Sequence, residues 1–268
     1  MAVARWIRPA EVYPTLFTLF GVQLSSYGAS KALAALVAAL MLRREFRRLG
    51  WNPESATTLV IASTVVGFLG AKLYYLGEHA GHLSMHDFGG SGFTWYGGFL
   101  AGFGTFLLLA RRHHLPLTQL VAVTVAPLSV AYGIGRLGCL LAGDGTYGRP
   151  TDLPWGMAFP NGTVPTTVAV HPTPLYEALV AFAIAGLLLS VRHRWNHPNV
   201  VGTYLILSGL ARLLVEFLRI NDPVFLGLTQ PQLWSIAVAA AGLVLIARTR
   251  RPAVRNTEGA QPYLPSRT

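Results

Sequence analysis

The sequence predicts an all-α integral membrane protein, a seven-transmembrane-helix bundle with its N-terminus outside and its C-terminus cytoplasmic. Three observations carry that expectation. The 268 residues are 52% hydrophobic and 12% charged, against about 25% charged in ordinary soluble domains. Seven apolar stretches each approach the length of about 20 residues that a bilayer core requires. The basic residues between those stretches fall mainly in alternate connections, as they do when one side of a membrane protein is held in the cytoplasm.

In chain order the stretches are 14–42, 57–77, 92–110, 117–140, 173–191, 200–219 and 231–248. The first is followed, not preceded, by its main cluster of positive charge, the wrong polarity for a signal sequence, and so reads as a span. No run of alternating residues competes as a barrel strand. Backbone polar groups in lipid need internal partners, which leaves a helical bundle.

Thirteen Lys and Arg residues follow the first, third, fifth and seventh spans, and four (Arg5, Arg8, Arg149 and Arg219) lie on the other side. The rule that positive connections stay inside then faces the loop at 141–172, and the one from Gly77 to Gly92, outward. Residues 1–248 read as one transmembrane domain with its outer loop at 141–172, and 249–268 as a basic, disordered cytoplasmic tail. The net charge of +10 is not gathered on a soluble basic face, so no nucleic-acid partner is expected. A lone Cys139 forms no intrachain disulfide and reads as a small packing residue. His79, His82, His86 and Asp87 have spacing resembling a metal site, but an exposed polar loop accounts for them, and neither metal nor cofactor is expected.

The remaining basic residues, Lys31, Lys72, Arg136 and Arg212, lie inside spans, where ionisable groups face a bundle interior or a wet cavity. Against these four cations Glu216 reads as the one intramembrane carboxylate. Helical spacing groups Gln23, Tyr27 and Lys31; Ser129, Tyr132 and Arg136; and Tyr204, Ser208, Arg212, Glu216 and Arg219 into three polar stripes. Facing one another, the stripes would line an outward-opening cavity of positive potential. Gly98 and Gly102 read as a close helix contact, while Tyr96 stands at the outer end, either in an aromatic belt or pointing into the cavity. In the outer loop, Gly143, Gly145 and Gly148 would let main-chain N–H groups approach a phosphate, beside Asp144 and His171. Arginine binds phosphate oxygens bidentately and stays charged, so the cavity suits an anionic lipid. Spacing alone names no reaction.

The run GRLGCLLAGDGTYGRPTDLPWGMAFPNG at 135–162 resembles the signature region of the bacterial phosphatidylglycerol–prolipoprotein diacylglyceryl transferases. Tyr27-Gly28, GAKLYYL (70–76), YGG (96–98), Ala126-Pro127, HPTPLYE (171–177), ARLLVEFLR (211–219) and the segment from Gln230 to Ser235 agree in order. The resemblance implies transfer of diacylglycerol from phosphatidylglycerol to the lipobox cysteine thiol of a prolipoprotein signal peptide, in the bacterial inner membrane, at a site facing the periplasm. It implies release of glycerol phosphate. The family's principal arginines fall on Arg136 and Arg212, its motif tyrosine on Tyr27, its acidic loop residue on Asp144, and its sixth-span glutamate and second arginine on Glu216 and Arg219. Together with the residues singled out above, the expectation is catalysis by Arg136, Arg212, Tyr27 and Tyr96, and substrate binding by Asp144, Gly143, Gly148, His171, Glu216, Arg219 and Lys72. The chain departs from the family at Tyr96, where some members have a histidine, at Cys139 for an asparagine, at Val123 for an acidic residue and at Lys72 for an arginine. A non-catalytic lipid-binding protein on the same scaffold, or an anion transporter, are the alternatives from other classes.

Overall fold

A computed structural model describes residues 12–19, 22–88 and 92–250. The tail expected over 249–268 lies, from residue 251 onward, outside the described residues. The described chain is mostly helical, with seven helices and three short β-hairpins.

The chain opens differently from the expected first span. Thr15–Leu19 (β1) and Val22–Ser25 (β2) form an antiparallel hairpin in which Phe17 faces Leu24 and Thr18 faces Gln23. The β-branched and aromatic residues of this stretch suit a pleated strand, and Ser25 stops it by capping the helix that follows. Its hydroxyl accepts from the Gly28 N–H at 3.1 Å. Helix α1 is therefore Ser26–Arg48, displaced toward the C-terminus relative to 14–42, and Gln23 is not on the stripe of Tyr27 and Lys31. Two hydrogen bonds tie the hairpin down, from Tyr13 N–H to the Leu141 carbonyl and from Ser26 N–H to the Pro14 carbonyl.

Helix α2 (Pro53–Glu78) starts earlier than 57 because Asn52 caps it, accepting from Glu54 N–H at 2.9 Å, with proline at the first position. Helix α3 is Trp95–Arg112 and helix α4 is Leu117–Ala142, closed by Gly143 at φ 58°. Strands β3 (Met157–Phe159) and β4 (Thr166–Val170) fold the loop after α4 into a hairpin. Helix α5 is Thr173–Val191, as expected. Helix α6 (His197–Glu216) is capped by Asn196 and ends before Arg219, whose backbone instead bridges to Gly148. Strands β5 (Pro223–Phe225) and β6 (Leu228–Thr229) lead into α7 (Gln230–Arg250).

Five helices, α2, α4, α5, α6 and α7, are long and apolar enough to cross a membrane. Lys31 and Arg43 dilute α1, and Arg111 and Arg112 occupy the last turn of the shorter α3. The outer surface is apolar, with Leu40, Leu69, Leu100, Leu108, Leu179 and Leu214 all exposed. That is an arrangement for lipid and not for water.

Glycine governs the closest helix contact. A methyl added at Gly97 of α3 would stand 2.4 Å from the Gly70 carbonyl of α2, and one at Gly102 3.0 Å from the Ser63 carbonyl. The small-residue reading of Gly98 and Gly102 is thus met, with Gly67 and Gly70 as its other face. At one end of the bundle Leu42, Phe46, Ala56, Leu59, Ala110 and Leu120 form a fully buried core. Buried Glu45 pairs there with Arg48 and Arg192. The other end of the bundle holds the hairpins and the polar groups of the site.

Candidate active site

A cavity of about 530 Å³ opens among α3, α4, α5, α6 and the start of α7, within the size range of small-molecule sites. Its walls are largely apolar, with Val180, Ala181, Ile184, Ala211, Pro231 and Trp234, and its charges are concentrated on Arg136, Arg212 and Glu177. Trp95 and Trp234 are 69% and 60% exposed while Ala181 is 4% exposed. The aromatic side is thus the open rim, and Glu177, Ala181 and Ile184 of α5 form a buried wall.

Two of the expected stripes meet at this cavity. Ser129, Tyr132 and Arg136 line it from α4, and Tyr204, Ser208 and Arg212 from α6. A third component was missed in the sequence, the carboxylate of Glu177 on α5. Glu177 Oε1 accepts from Tyr132 Oη at 2.8 Å, Arg212 Nη1 at 3.0 Å and Arg136 Nη2 at 3.2 Å. Arg136 Nε lies 3.1 Å from Glu177 Oε2 and donates to Tyr132 Oη at 3.0 Å. Glu216 is therefore not the only carboxylate among these cations, and pairing absorbs more of them than expected. The available signal was local: Glu177 is the single acidic residue of the fifth span, one helical turn inside it.

Glu216 lies behind this layer and does not line the cavity. Its Oε2 is 2.7 Å from Arg212 Nη2, and its Oε1 accepts from Asn221 Nδ2 at 2.5 Å and Thr229 Oγ1 at 3.0 Å. Arg219, past the end of α6, is 3.7 Å from Glu216 Oε2 and donates from Nη1 to the Thr146 carbonyl at 3.1 Å. It pins the outer loop to α6 more than it faces the cavity. Three guanidiniums against two carboxylates leave the cluster with one excess positive charge.

The third stripe is elsewhere. Lys31 Nζ lies 4.8 Å from the Tyr27 ring centroid and beside Gly135, on the flank of α4 where α1 packs. Neither Tyr27 nor Lys31 lines the cavity. Tyr27 instead lies within electrostatic reach of Cys139, Asp144 and Arg136, and Arg136 Nη1 is 4.0 Å from Cys139 Sγ. Arg136 thus stands between the cavity and a second polar group on the α1 side. The physical reason is helix geometry: one hundred degrees per residue separates the faces that Gly135 and Arg136 present.

Tyr96 does line the cavity, at its rim, and accepts a hydrogen bond from Gln230 Nε2 of α7. Lys72, on α2, lies against the Phe93 and Tyr75 rings, 5.1 and 5.6 Å from their centroids, and is not a lining residue. Val123 packs on the core at the far end of the bundle.

The loop glycines serve the loop itself. Gly148 N–H donates to the His171 carbonyl at 2.9 Å and Gly143 N–H to the Leu140 carbonyl at 3.2 Å, so both donors are occupied. A methyl on Gly143 would meet Gly162 Cα at 2.6 Å, and one on Gly148 the Leu218 carbonyl at 2.5 Å. Asp144 accepts from Thr146 N–H and Oγ1 at 3.1 and 2.7 Å, an Asx turn. His171 Nδ1 is 3.4 Å from Tyr176 Oη. None of these four residues lines the cavity, and Gly143 and Gly148 use their N–H groups and their lack of a side chain for close packing of the loop itself. Among the described residues no group of His, Cys, Asp and Glu could hold a metal ion.

Two guanidiniums from different helices thus converge on one carboxylate in an apolar cavity, an arrangement whose fixed N–H groups have the chemistry to receive an anionic group. Comparison with known sequences identifies the lineage. The sequence profile described as prolipoprotein diacylglyceryl transferase matches residues 14–248. The chain belongs to that family. It is 33% identical over 217 residues to the phosphatidylglycerol–prolipoprotein diacylglyceryl transferase of Clostridium tetani, covering 78% of this chain and 86% of the relative. The enzyme of that name from Finegoldia magna is 27% identical over 251 residues, covering 90% and 98%. The one from Leptospira interrogans is 30% identical over 232 residues, covering 75% and 73%. As a prolipoprotein diacylglyceryl transferase with five long apolar helices, the protein is a multi-pass membrane enzyme.

Proposed function

We propose that the cavity binds phosphatidylglycerol by its phosphate, between Arg136 and Arg212, and that the enzyme moves the diacylglyceryl group to the lipobox cysteine thiol of a prolipoprotein signal peptide. The observation that carries the reading is the convergence of both guanidiniums on Glu177 at the wall of one apolar cavity, in a chain of this family. The thiol sulfur forms a bond to the glycerol carbon, the carbon–oxygen bond to phosphate breaks, and glycerol phosphate leaves with the electron pair. Fixed guanidiniums stabilise the charge gathering on that leaving group, which needs no reorganisation at the moment of reaction. The apolar walls exclude water that would compete with the thiol.

In this reading all seven helices cross the inner membrane, the N-terminus is outside, and the C-terminus and the tail beyond the catalytic domain are cytoplasmic. The basic residues at the ends of α1, α3, α5 and α7 support that orientation, which turns the cavity and the outer loop toward the periplasm. Tyr27, Asp144 and Cys139 serve Arg136 from its α1 side. Gly143, Gly148, His171 and Arg219 shape the loop, and Lys72 and Tyr96 stand outside the phosphate pair.

The test is transfer to a synthetic lipobox peptide by the purified protein in phosphatidylglycerol vesicles. Arg136→Ala and Arg212→Ala should each reduce thioether formation by on the order of 10²–10³ or more while the protein still inserts. Full activity in both variants would sink the reading. Binding of phosphatidylglycerol without release of glycerol phosphate would instead favour a non-catalytic lipid-binding protein.

A further inference from the structure

Six titratable side chains line the cavity: Tyr96, Tyr132, Tyr204, Arg136, Arg212 and Glu177. A thiol that is to attack carbon must first lose its proton, and the acceptor has to face the reacting groups. The arginines have no lone pair to offer. Tyr96 already accepts from Gln230. Tyr132 accepts from Arg136 and donates to Glu177. Phenols, with a reference pKa near 10, are poor bases in any case. The second carboxylate, Glu216, lies outside the cavity, its Oε1 accepting from Asn221 and Thr229 and its Oε2 paired with Arg212 and Arg219, so no substrate thiol in the cavity reaches it.

We propose that Glu177 takes the proton of the acceptor thiol and that the arriving phosphate is what frees it to do so. The inference rests on the transferase reading above. In the resting site Oε1 carries three donors, while Oε2 has the Arg136 ion pair but no well-formed hydrogen bond. A phosphate on the two guanidiniums takes over their N–H groups and brings a negative charge beside the carboxylate. Both changes favour its protonation, because a buried carboxylate parted from its counter-charges is costly. The proton passes from sulfur to Glu177 as the sulfur–carbon bond forms and the carbon–oxygen bond to phosphate breaks. Glu177 then returns the proton to the departing phosphate monoester and closes on the arginines again. The charged and titratable groups facing it are Tyr132 and Arg136 from α4 and Arg212 from α6, with Glu216 and Arg219 one layer behind.

The experiment compares wild type and Glu177→Gln, as full chains in phosphatidylglycerol vesicles, for thioether formation with a lipobox peptide between pH 6 and pH 10. Glutamine keeps an acceptor oxygen for the guanidiniums but takes no proton. Expected are phosphatidylglycerol binding within about tenfold of wild type and a loss of about 10²–10⁴ in transfer at pH 7. The loss should shrink as pH rises through the thiol's own value near 8.5. A loss that is the same at every pH, or one accounted for by lost lipid binding, makes Glu177 a positioning residue and overturns the proposal. So does unchanged activity at pH 7. If Glu177→Gln does not fold, Glu177→Asp decides: a slower enzyme with the wild-type pH profile agrees, and one whose rate follows only thiol ionisation overturns it. Wild type that transfers nothing to the peptide refutes the transferase reading itself, independently of Glu177.

Discussion

Arg212 and Glu216 stand one helical turn apart on α6, with Nη2 2.7 Å from Oε2. The glutamate side chain is wholly buried, so this pair is the inner end of a chain of charge that runs from Glu216 through Arg212 to Glu177 and Arg136. The arginine facing the cavity is held from behind.

Glu216→Ala should therefore cost about 3–5 kcal/mol of stability, the usual penalty for breaking a buried ion pair on one side, and lower the thermal midpoint in detergent. Glu216→Gln should cost less, because its amide oxygen still accepts from Asn221 and Thr229. Equal midpoints for the alanine variant and wild type would show that Arg212 needs no such support.

Tyr96→Phe should leave transfer within about tenfold of wild type. The change removes one hydrogen bond, to Gln230, worth about 0.5–1.5 kcal/mol, and no proton acceptor that the reaction uses. Measured kcat/KM for the lipobox peptide checks this, and a loss of a thousandfold would return Tyr96 to the role of base.

Gly148→Ala should weaken the outer loop, since the added methyl meets the Leu218 carbonyl at 2.5 Å and His171 Cβ at 2.8 Å. Overpacking of this kind costs about 1–3 kcal/mol. Protease cleavage between residues 143 and 172 should accelerate in the variant, with Gly186→Ala, where nothing lies within 4 Å, as the control.

Asp87 in the turn after α2 is held well below the ordinary carboxylate range, at about 2. The causes are the Ser84 N–H and hydroxyl and then the Tyr75 hydroxyl. A depressed carboxylate adds stability that is fully present above its unfolded value near 3.9 and is lost as pH falls toward 2. The amide protection factors across residues 79–88, corrected for intrinsic exchange, should stay constant down to about pH 4 and fall below it. Ser84→Ala should lower the protection at neutral pH and shrink the loss seen below about pH 4, because the folded value moves up toward the unfolded one.

Much of this was legible in the sequence. Span α5 lies where its apolar run predicts, and Arg136 and Arg212 meet at one cavity as their stripes require. The pairing of β1 with β2 was hidden because strand and helix are both apolar there, and composition does not separate them. Tyr27 and Lys31 were placed in the cavity by a stripe that could show which residues share a face but not which neighbour that face meets. Glu177 was overlooked for a related reason: a single carboxylate forms no stripe, and its importance lies wholly in partners supplied by two other helices. The loop glycines show the converse, residue types suited to a phosphate cradle but used to bring backbone against backbone.

The contact of Gly97 with Gly70 has a consequence for the residue beside it. With no room between α2 and α3 for even one methyl group, α3 cannot slide or roll at that point, so position 96 is a fixed mounting point on the rim. Whatever side chain occurs there is presented at the same place. A substitution at position 96 can therefore change the chemistry of the rim while its location stays fixed, without the bundle being rebuilt around it.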